Sequence, residues 1–210
     1  MIRINEILGC PNNRRHGTTG FCGDRLNCQR IDDCLGFVGI FDFFHDCSKS
    51  KLDLFKELLP LSLFKDLRSE KVLGYDWYPT HIRRIVKAHY VDYVETKTIT
   101  RNDVAISEIN IINRGIREEE ITPYIFADSE ERVNVYGRNI QCVRRIFPAE
   151  PFMLRPGERR TIIAAAGLGL EGEEIDKRLS DMLVPCILEA IDQPGMRFLC
   201  CCYSGVSLHR

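Results

Sequence analysis

A cysteine-rich stretch near the start of the chain carries the residue types best suited to metal binding or thiol chemistry. Cys10, His16, Cys22, Cys28 and Cys34 follow one another at intervals of six residues. Zinc sites use Cys pairs separated by about two to four residues, because a tight turn must bring two thiolates to one ion. In an extended segment, neighbouring side chains of this series would lie roughly 20 Å apart. Separately packed thiols are therefore favoured, and a zinc site or disulfides remain the alternatives.

Acid–base or nucleophilic catalysis would need partners for these residues. Asp24 or Asp42 together with His16 or His45 would make an acid–base pair if the fold placed them in one cleft. Aspartate also favours turns for conformational reasons alone. The triplet at 200–202, three consecutive cysteines, matches no catalytic signature. The sequence therefore identifies no catalytic residue, and it does not establish whether the protein is an enzyme.

Two pairs of adjacent arginines are candidates for binding an anion. Arg83, Arg84, Arg144 and Arg145 carry guanidinium groups, whose forked donors suit phosphate and carboxylate. The formal net charge of the chain is −1, so no global positive field favours nucleic acid. Nucleic-acid binding is therefore kept only as part of an alternative hypothesis, a cysteine-rich metal- or nucleic-acid-binding protein.

The termini and the cysteine content bear on the cellular compartment. Asn5 and Glu6 interrupt the apolar residues at the N-terminus, which does not resemble a signal peptide. No apolar run approaches the roughly 18 residues that span a bilayer. We therefore expect a cytoplasmic protein without a transmembrane segment, in which most of the 10 cysteines are thiols.

Hydrophobic periodicity predicts the elements that would position these residues. The apolar run 35–47 predicts a buried strand. Leu52, Phe55 and Leu59 share one face of a predicted helix, which Pro60 should end. From about residue 74 the chain is rich in β-branched residues, with turns between short runs. The strand candidates are 91–100, 104–113, 121–127, 131–147 and 151–169, the last divided by a turn at Pro156-Gly157.

One of these strands changes the phase of its apolar residues. Val104 and Ile106 have one parity, and Ile109 and Ile111 have the other. This shift predicts either a bulge or a strand that is buried on both faces.

An amphipathic helix is predicted after the strands. Ile175, Leu179 and Leu183 share a face, Pro185 should kink or divide the helix, and Pro194-Gly195 should stop it.

Strands at roughly ten-residue spacing indicate a mainly β fold, an antiparallel β-sandwich with flanking helices. The predicted organisation has an irregular cysteine-rich segment with short helices at 1–73 and the sandwich at 74–170. A C-terminal helix at 171–193 and a cysteine-rich tail at 194–210 follow.

Two stretches together resemble a known family. "VDYVETKTITRNDVAISEINIINRG" is an extended pair that runs into an Asn-Arg-Gly turn. "FMLRPGERRTIIAAAGLGLEGEEIDKRLSDML" is a strand, a Pro-Gly turn, a strand and a helix with an acidic start. This succession, over about residues 85–190, is similar to the N-terminal β-sandwich domain of six-hairpin glycoside hydrolases and phosphorylases, the glucoamylase-like and debranching enzymes.

The resemblance implies a role without a catalytic site of its own. In that family the sandwich packs on a helical barrel, and the barrel supplies the catalytic carboxylates. No catalytic residue is therefore carried over to this chain. The expected function is that of an accessory or binding module of a carbohydrate-active system, with carbohydrate or a helical catalytic domain as partner and no cofactor.

Overall fold

The computed structural model describes residues 23–31, 34–43, 57–65, 70–78, 81–135 and 137–192. Within these ranges the chain forms thirteen strands and one helix. The strands are β1 (Asn27–Ile31), β2 (Gly36–Asp42), β3 (Glu57–Ser62), β4 (Glu70–Tyr78), β5 (His81–Ala88), β6 (Val91–Ile99), β7 (Val104–Asn113), β8 (Glu119–Ile121), β9 (Tyr124–Ile125), β10 (Glu130–Val135), β11 (Arg138–Phe147), β12 (Phe152–Leu154) and β13 (Arg159–Leu170). The helix is α1 (Ile175–Asp192).

The strands form two antiparallel layers. The larger sheet has seven strands in the order β10-β11-β13-β7-β6-β5-β4, and the smaller sheet has the order β1-β2-β3-β9. Strands β8 and β12 make a separate antiparallel pair. Apolar residues of both sheets, such as Phe37 and Leu59 on one side and Val86 and Ile109 on the other, belong to one buried cluster. The predicted mainly β, antiparallel fold class is confirmed.

The hairpin of β6 and β7 forms where the sequence predicts it. Buried and half-buried residues alternate through all nine residues of β6, because one face of the strand lies against the smaller sheet. The turn between the strands ends at Asp103, whose φ of 59° is left-handed, a conformation that aspartate tolerates better than most residues. The Thr100 N–H donates to the Val104 carbonyl over 2.8 Å and closes the turn.

The phase shift in β7 reflects burial on both faces. The register between β7 and both of its neighbours runs without a bulge. Val104 and Ile106 pack under α1 on the outer face, whereas Ala105 and Ile109 belong to the core between the sheets. Of the two predicted explanations, burial on both faces is therefore correct.

Glycine residues on β13 let α1 approach the outer face of the larger sheet closely. A Cβ atom on Gly167 would lie 2.8 Å from Ile175 Cγ2 and 3.1 Å from Leu179 Cγ. Ile175, Leu179 and Leu183 form the buried face of the helix, as predicted. The helix is continuous past the position of Pro185, so the predicted division at that residue does not occur.

Residues 57–62 form a strand where the apolar pattern predicts the end of a helix. Strand β3 pairs with both β2 and β9, and the Pro60 carbonyl accepts the Phe126 N–H over 2.9 Å. Leu58 and Leu59 are adjacent in sequence and both fully buried, so the segment shows no strand alternation. The pairing partners decide its conformation. The preceding residues 51–56, and the tail at 194–210, lie outside the described ranges.

We predict that Gly167→Ala lowers the free energy of unfolding by about 1–3 kcal/mol, because the added methyl group must displace α1 from β13. Gly74→Ala is the matched control, since a Cβ at Gly74 meets no atom within 4 Å. Urea denaturation monitored by circular dichroism measures both. Equal stability of the two variants would contradict this account of the helix packing.

Candidate binding site

The inner face of the larger sheet carries a buried cluster of charged and polar side chains. The buried charge cluster consists of Arg84, Tyr93, Glu95, Lys97 and Ser107, none of which is more than 1% exposed. These residues come from β5, β6 and β7, and they alternate with the apolar residues that face the smaller sheet. Charged groups in such a position must be paired, because removal from water costs several kcal/mol per ion.

The Glu95 carboxylate is the centre of this cluster. Its Oε2 atom accepts from Arg84 Nε over 2.9 Å. Its Oε1 atom accepts from Ser107 Oγ over 2.7 Å and from the Gly36 N–H over 2.6 Å. Arg84 also donates to the Tyr93 hydroxyl over 3.1 Å. Since Gly36 belongs to β2, the same carboxylate holds the two sheets together.

Lys97 completes the link between the sheets. Its Nζ atom donates to the Cys34 carbonyl and lies 3.6 Å from Glu95 Oε2. Burial lowers the pKa of Lys97, and the Glu95 carboxylate opposes this effect. Burial likewise raises the pKa of Tyr93. The cluster is internally satisfied and closed to solvent, so we assign it a structural role.

Arg144 makes a second buried link at the other end of the sandwich. Its guanidinium donates to the carbonyls of Leu58, Asp128 and Glu57 over 2.7, 2.8 and 3.3 Å. It also pairs with Glu131 over 2.7 Å. The guanidinium group of Arg144 therefore holds β11 against β3 and β10.

A shallow pocket of about 400 Å³ lies beside the start of α1. Four of the five charged side chains that line it are paired, and Lys177 contacts Glu174 over 3.4 Å. Arg25 contacts Asp103 over 3.0 Å and Glu173 over 2.8 Å, and Arg178 lies 3.3 Å from Glu173. The remaining charged residue, Asp181, is exposed to solvent, so we do not assign a ligand to this pocket.

The outer face of the larger sheet presents a different polar group, the outer strip. It consists of Arg83, Thr96, Glu108, Asn110 and Thr161, all half-buried. In the strand register, Arg83 is opposite Thr96 and Thr96 is opposite Glu108, so these three residues lie side by side across β5, β6 and β7. Asn110 and Thr161 are opposite one another in the next row.

Hydrogen bonds order one half of the outer strip. Asn110 Nδ2 donates to Glu108 Oε1 over 2.6 Å. Thr161 Oγ1 donates to Asn110 Oδ1 over 3.0 Å. The apolar residues Ile85 and Val94 are half-buried in the same row as Asn110, and they give the strip a partly apolar floor.

The Glu108 carboxyl group has an unusual environment for an acidic residue. Burial raises its pKa to about 7, and the hydrogen bond from Asn110 acts in the opposite direction. Within the described part of the chain, Glu108 makes no ion pair, and Asn110 is its one hydrogen-bond partner. Near neutral pH this carboxyl group is therefore able to donate as well as accept a hydrogen bond.

The helix leaves this part of the outer face accessible. Helix α1 packs on β13 and β11, and its apolar face contacts Val104 and Ile106 of β7 and Ile163 of β13. The outer strip lies beside these contacts, on β5 and β6 and farther along β7 and β13. A ligand would meet an acid, an amide, two hydroxyl groups and a guanidinium on one rigid sheet face.

The predicted metal ligands are not all within the described ranges. Cys28 is fully buried on β1, and Cys34 is exposed next to β2. Cys10, His16 and Cys22 lie outside the described residues. Where the structure describes the chain, no group of three or more His, Cys, Asp or Glu side chains is placed to hold a metal ion.

The four predicted anion-binding arginines are not brought together. Adjacent residues of a strand point to opposite faces, so Arg84 and Arg144 are buried whereas Arg83 and Arg145 face outward. Arg145 pairs with Asp176 of α1 over 2.5 Å. Of the four, Arg83 alone belongs to the outer strip.

The hypothesis of an acid–base pair involving Asp24 or Asp42 stays a prediction. Asp24 is exposed, and its backbone N–H donates to the Arg101 carbonyl over 2.8 Å. Asp42 ends β2. His16 and His45 lie outside the described residues.

Sequence motifs did not point to Glu108, Asn110 or Thr161. The one available signal was the change of phase in β7, which leaves polar residues at 108 and 110 between buried isoleucines. Their approach to Thr161 depends on the pairing of β7 with β13, which no local pattern reveals.

Over the described residues, the fold and site define an antiparallel β-sandwich with a polar strip on its larger sheet, beside helix α1. No known protein family matches the chain, and no curated protein matches it either. The described residues contain no helix with the length and apolar character to cross a membrane.

We predict that Glu95→Gln lowers the free energy of unfolding by about 3–5 kcal/mol, because Lys97 loses its counter-charge in a dry environment and Arg84 keeps only the longer contact with Glu70, at 3.8 Å. The control is Glu120→Gln in the exposed Lys65–Glu120 pair at 3.5 Å, for which about 0–1 kcal/mol is expected. Urea denaturation of both variants tests the difference. Similar losses would show that the buried cluster is not a special constraint.

We also predict that Glu108 makes the stability of the folded protein depend on pH. Its pKa is raised from 4.5 to about 7 on folding, so the folded state binds the proton more tightly. This contribution to stability is complete below about pH 4.5 and is lost as the pH rises through 7, by about 3 kcal/mol. Glu108→Gln should remove this loss and be the more stable protein at pH 8. Thermal unfolding from pH 4 to 8 measures it, with exposed Glu130→Gln as control; parallel profiles for wild type and Glu108→Gln would refute the prediction.

Proposed function

We propose that the chain is a non-catalytic β-sandwich module that binds carbohydrate on the outer strip. The observation that carries the proposal is the half-buried Glu108 carboxyl, which makes no ion pair in the described chain and is oriented by Asn110. Half-buried polar groups with unused hydrogen-bonding capacity are typical of ligand sites.

The chemistry of the strip suits a ligand rich in hydroxyl groups. A protonated carboxyl group, an amide and the Thr96 and Thr161 hydroxyls offer both donors and acceptors. Each sugar hydroxyl group needs an acceptor and a donor as partners, because it donates one hydrogen bond and accepts others. Ile85 and Val94 supply an apolar surface for the C–H groups of a sugar ring. The resemblance to sandwich domains of carbohydrate-active enzymes agrees with this ligand class.

The arrangement of acidic groups supports binding rather than catalysis. Glycosidases hold two carboxyl groups about 5–9.5 Å apart. The other acidic residue in the row of Glu108 is Asp76 on β4, which is opposite Arg83 of β5 in the strand register. It is three strands away, so the Cα atoms are about 14 Å apart. We therefore assign the outer strip to recognition, and an accessory role beside a separate catalytic domain follows from that assignment.

Calorimetric titration of the purified chain with malto-, cello- and uronate-containing oligosaccharides tests the proposal. We expect at least one of them to bind, and Asn110→Ala to weaken that binding about tenfold, since one strong hydrogen bond contributes about 1.4 kcal/mol. Asn134→Ala, exposed on β10 at the far edge of the sheet, is the matched control and should bind as wild type does.

Two results would overturn carbohydrate binding by a non-catalytic module, and a third would overturn its assignment to the outer strip. One is the absence of binding to every sugar of the panel, and the other is turnover of glycosides by the isolated chain. Binding that survives Asn110→Ala unchanged would move the site away from the outer strip.

A further inference from the structure

We infer that the outer strip selects an acidic sugar, a hexuronate unit whose carboxylate lies on Arg83 and whose ring hydroxyls lie on Glu108 and Asn110. This inference rests on the proposed carbohydrate-binding function and names the ligand within that class. It assigns Arg83 as the residue that determines specificity.

The first observation is that Arg83 is a cation without a partner. Among the described residues it makes neither an ion pair nor a side-chain hydrogen bond, although it is half-buried on the outer face. The buried Arg84 and Arg144 are engaged with acceptors, and Arg145, half-buried like Arg83, pairs with Asp176. A guanidinium group has five N–H donors, and those of Arg83 that no described protein group accepts are available to a ligand from solvent.

Among the described residues, no neighbouring charged side chain is an ion-pair partner of Arg83. Asp76 is directly opposite Arg83 on β4, yet no oxygen of Asp76 lies within the 4.0 Å of an ion pair with it. On the same strand, His81 is buried and its ring stacks on Tyr78 with a centroid distance of 4.3 Å. Burial lowers the pKa of His81, and the positive charge of Arg83 lowers it further. The positive field of Arg83 therefore remains available to an anion from solvent.

The second observation is the spacing between the unpaired groups. Arg83 and Glu108 stand two strands apart in one row, so their Cα atoms are about 10 Å apart. Thr96 lies between them with its hydroxyl group on the same face. A single pyranose ring with a carboxylate at one edge and hydroxyls at the other fits this separation.

Charge complementarity favours this ligand over a neutral sugar. A guanidinium–carboxylate contact is a charge-assisted and often bidentate interaction, about twice as strong as a neutral hydrogen bond. The Glu108 carboxyl group contacts only hydroxyls in this arrangement, so the two acids do not share a site. A simple anion would satisfy Arg83 but would leave Glu108 and Asn110 unused.

Calorimetric titration of the full chain at pH 6 with glucuronate, glucuronamide, glucose and acetate tests the inference. Glucuronate should bind at least tenfold more tightly than glucose. Glucuronamide, which has the same shape without the charge, should bind as glucose does, and acetate should bind more weakly than glucuronate. Arg83→Gln should remove the preference for glucuronate over glucose. Arg117→Gln, exposed in the loop after β7, is the matched control and should retain the preference.

The outcomes separate this inference from the proposed function. Equal affinity for glucuronate and glucose, or a preference that survives Arg83→Gln, would overturn the hexuronate assignment and leave carbohydrate binding intact. Acetate binding as tight as glucuronate would show an anion site without sugar recognition and would overturn the assignment as well. Failure of every sugar to bind would overturn the proposed function and this inference together.

Discussion

The sandwich depends on one buried carboxylate that both sheets share. Glu95 accepts hydrogen bonds from Arg84, from Ser107 and from the backbone of Gly36, so three strands of the larger and smaller sheets meet at its two oxygens. In a medium of low dielectric constant, these partners cannot be exchanged for water. Apolar packing alone would tolerate small displacements between the layers. The shared carboxylate does not, and it thereby fixes the register of β5, β6 and β7.

That register decides what the outer face presents. Because successive residues of a strand point to opposite faces, the inward position of Arg84 places Arg83 outside, and the inward position of Ile109 places Glu108 and Asn110 outside. A slip of one residue would bury the outer strip and expose the charge cluster. The structural cluster and the candidate binding site are therefore two consequences of the same alignment, one on each face of the same three strands.

The two clusters differ in how their charges are satisfied. On the inner face every charged group has protein partners, and the arrangement stabilises the fold. On the outer strip, Glu108 and Arg83 are half-buried without ion pairs in the described chain, and burial of the ionised Glu108 carboxylate is unfavourable. Proteins accept such costs at sites where a ligand supplies the missing partners. For this reason the function is inferred from the site, since a β-sandwich by itself is compatible with many activities.

The sequence by itself determined the mainly β class, the hairpin of β6 and β7, and the apolar face of α1, because each depends on periodicity among near neighbours. It also signalled the double burial of β7 through a change of phase. Only the tertiary structure decided that residues 57–62 form a strand, that Arg83 and Arg84 have opposite environments, and that Thr161 meets Asn110. Strand partners and buried ion pairs join residues far apart in the chain. Local sequence patterns do not predict such pairings, so the candidate site could be identified only from the assembled sheets.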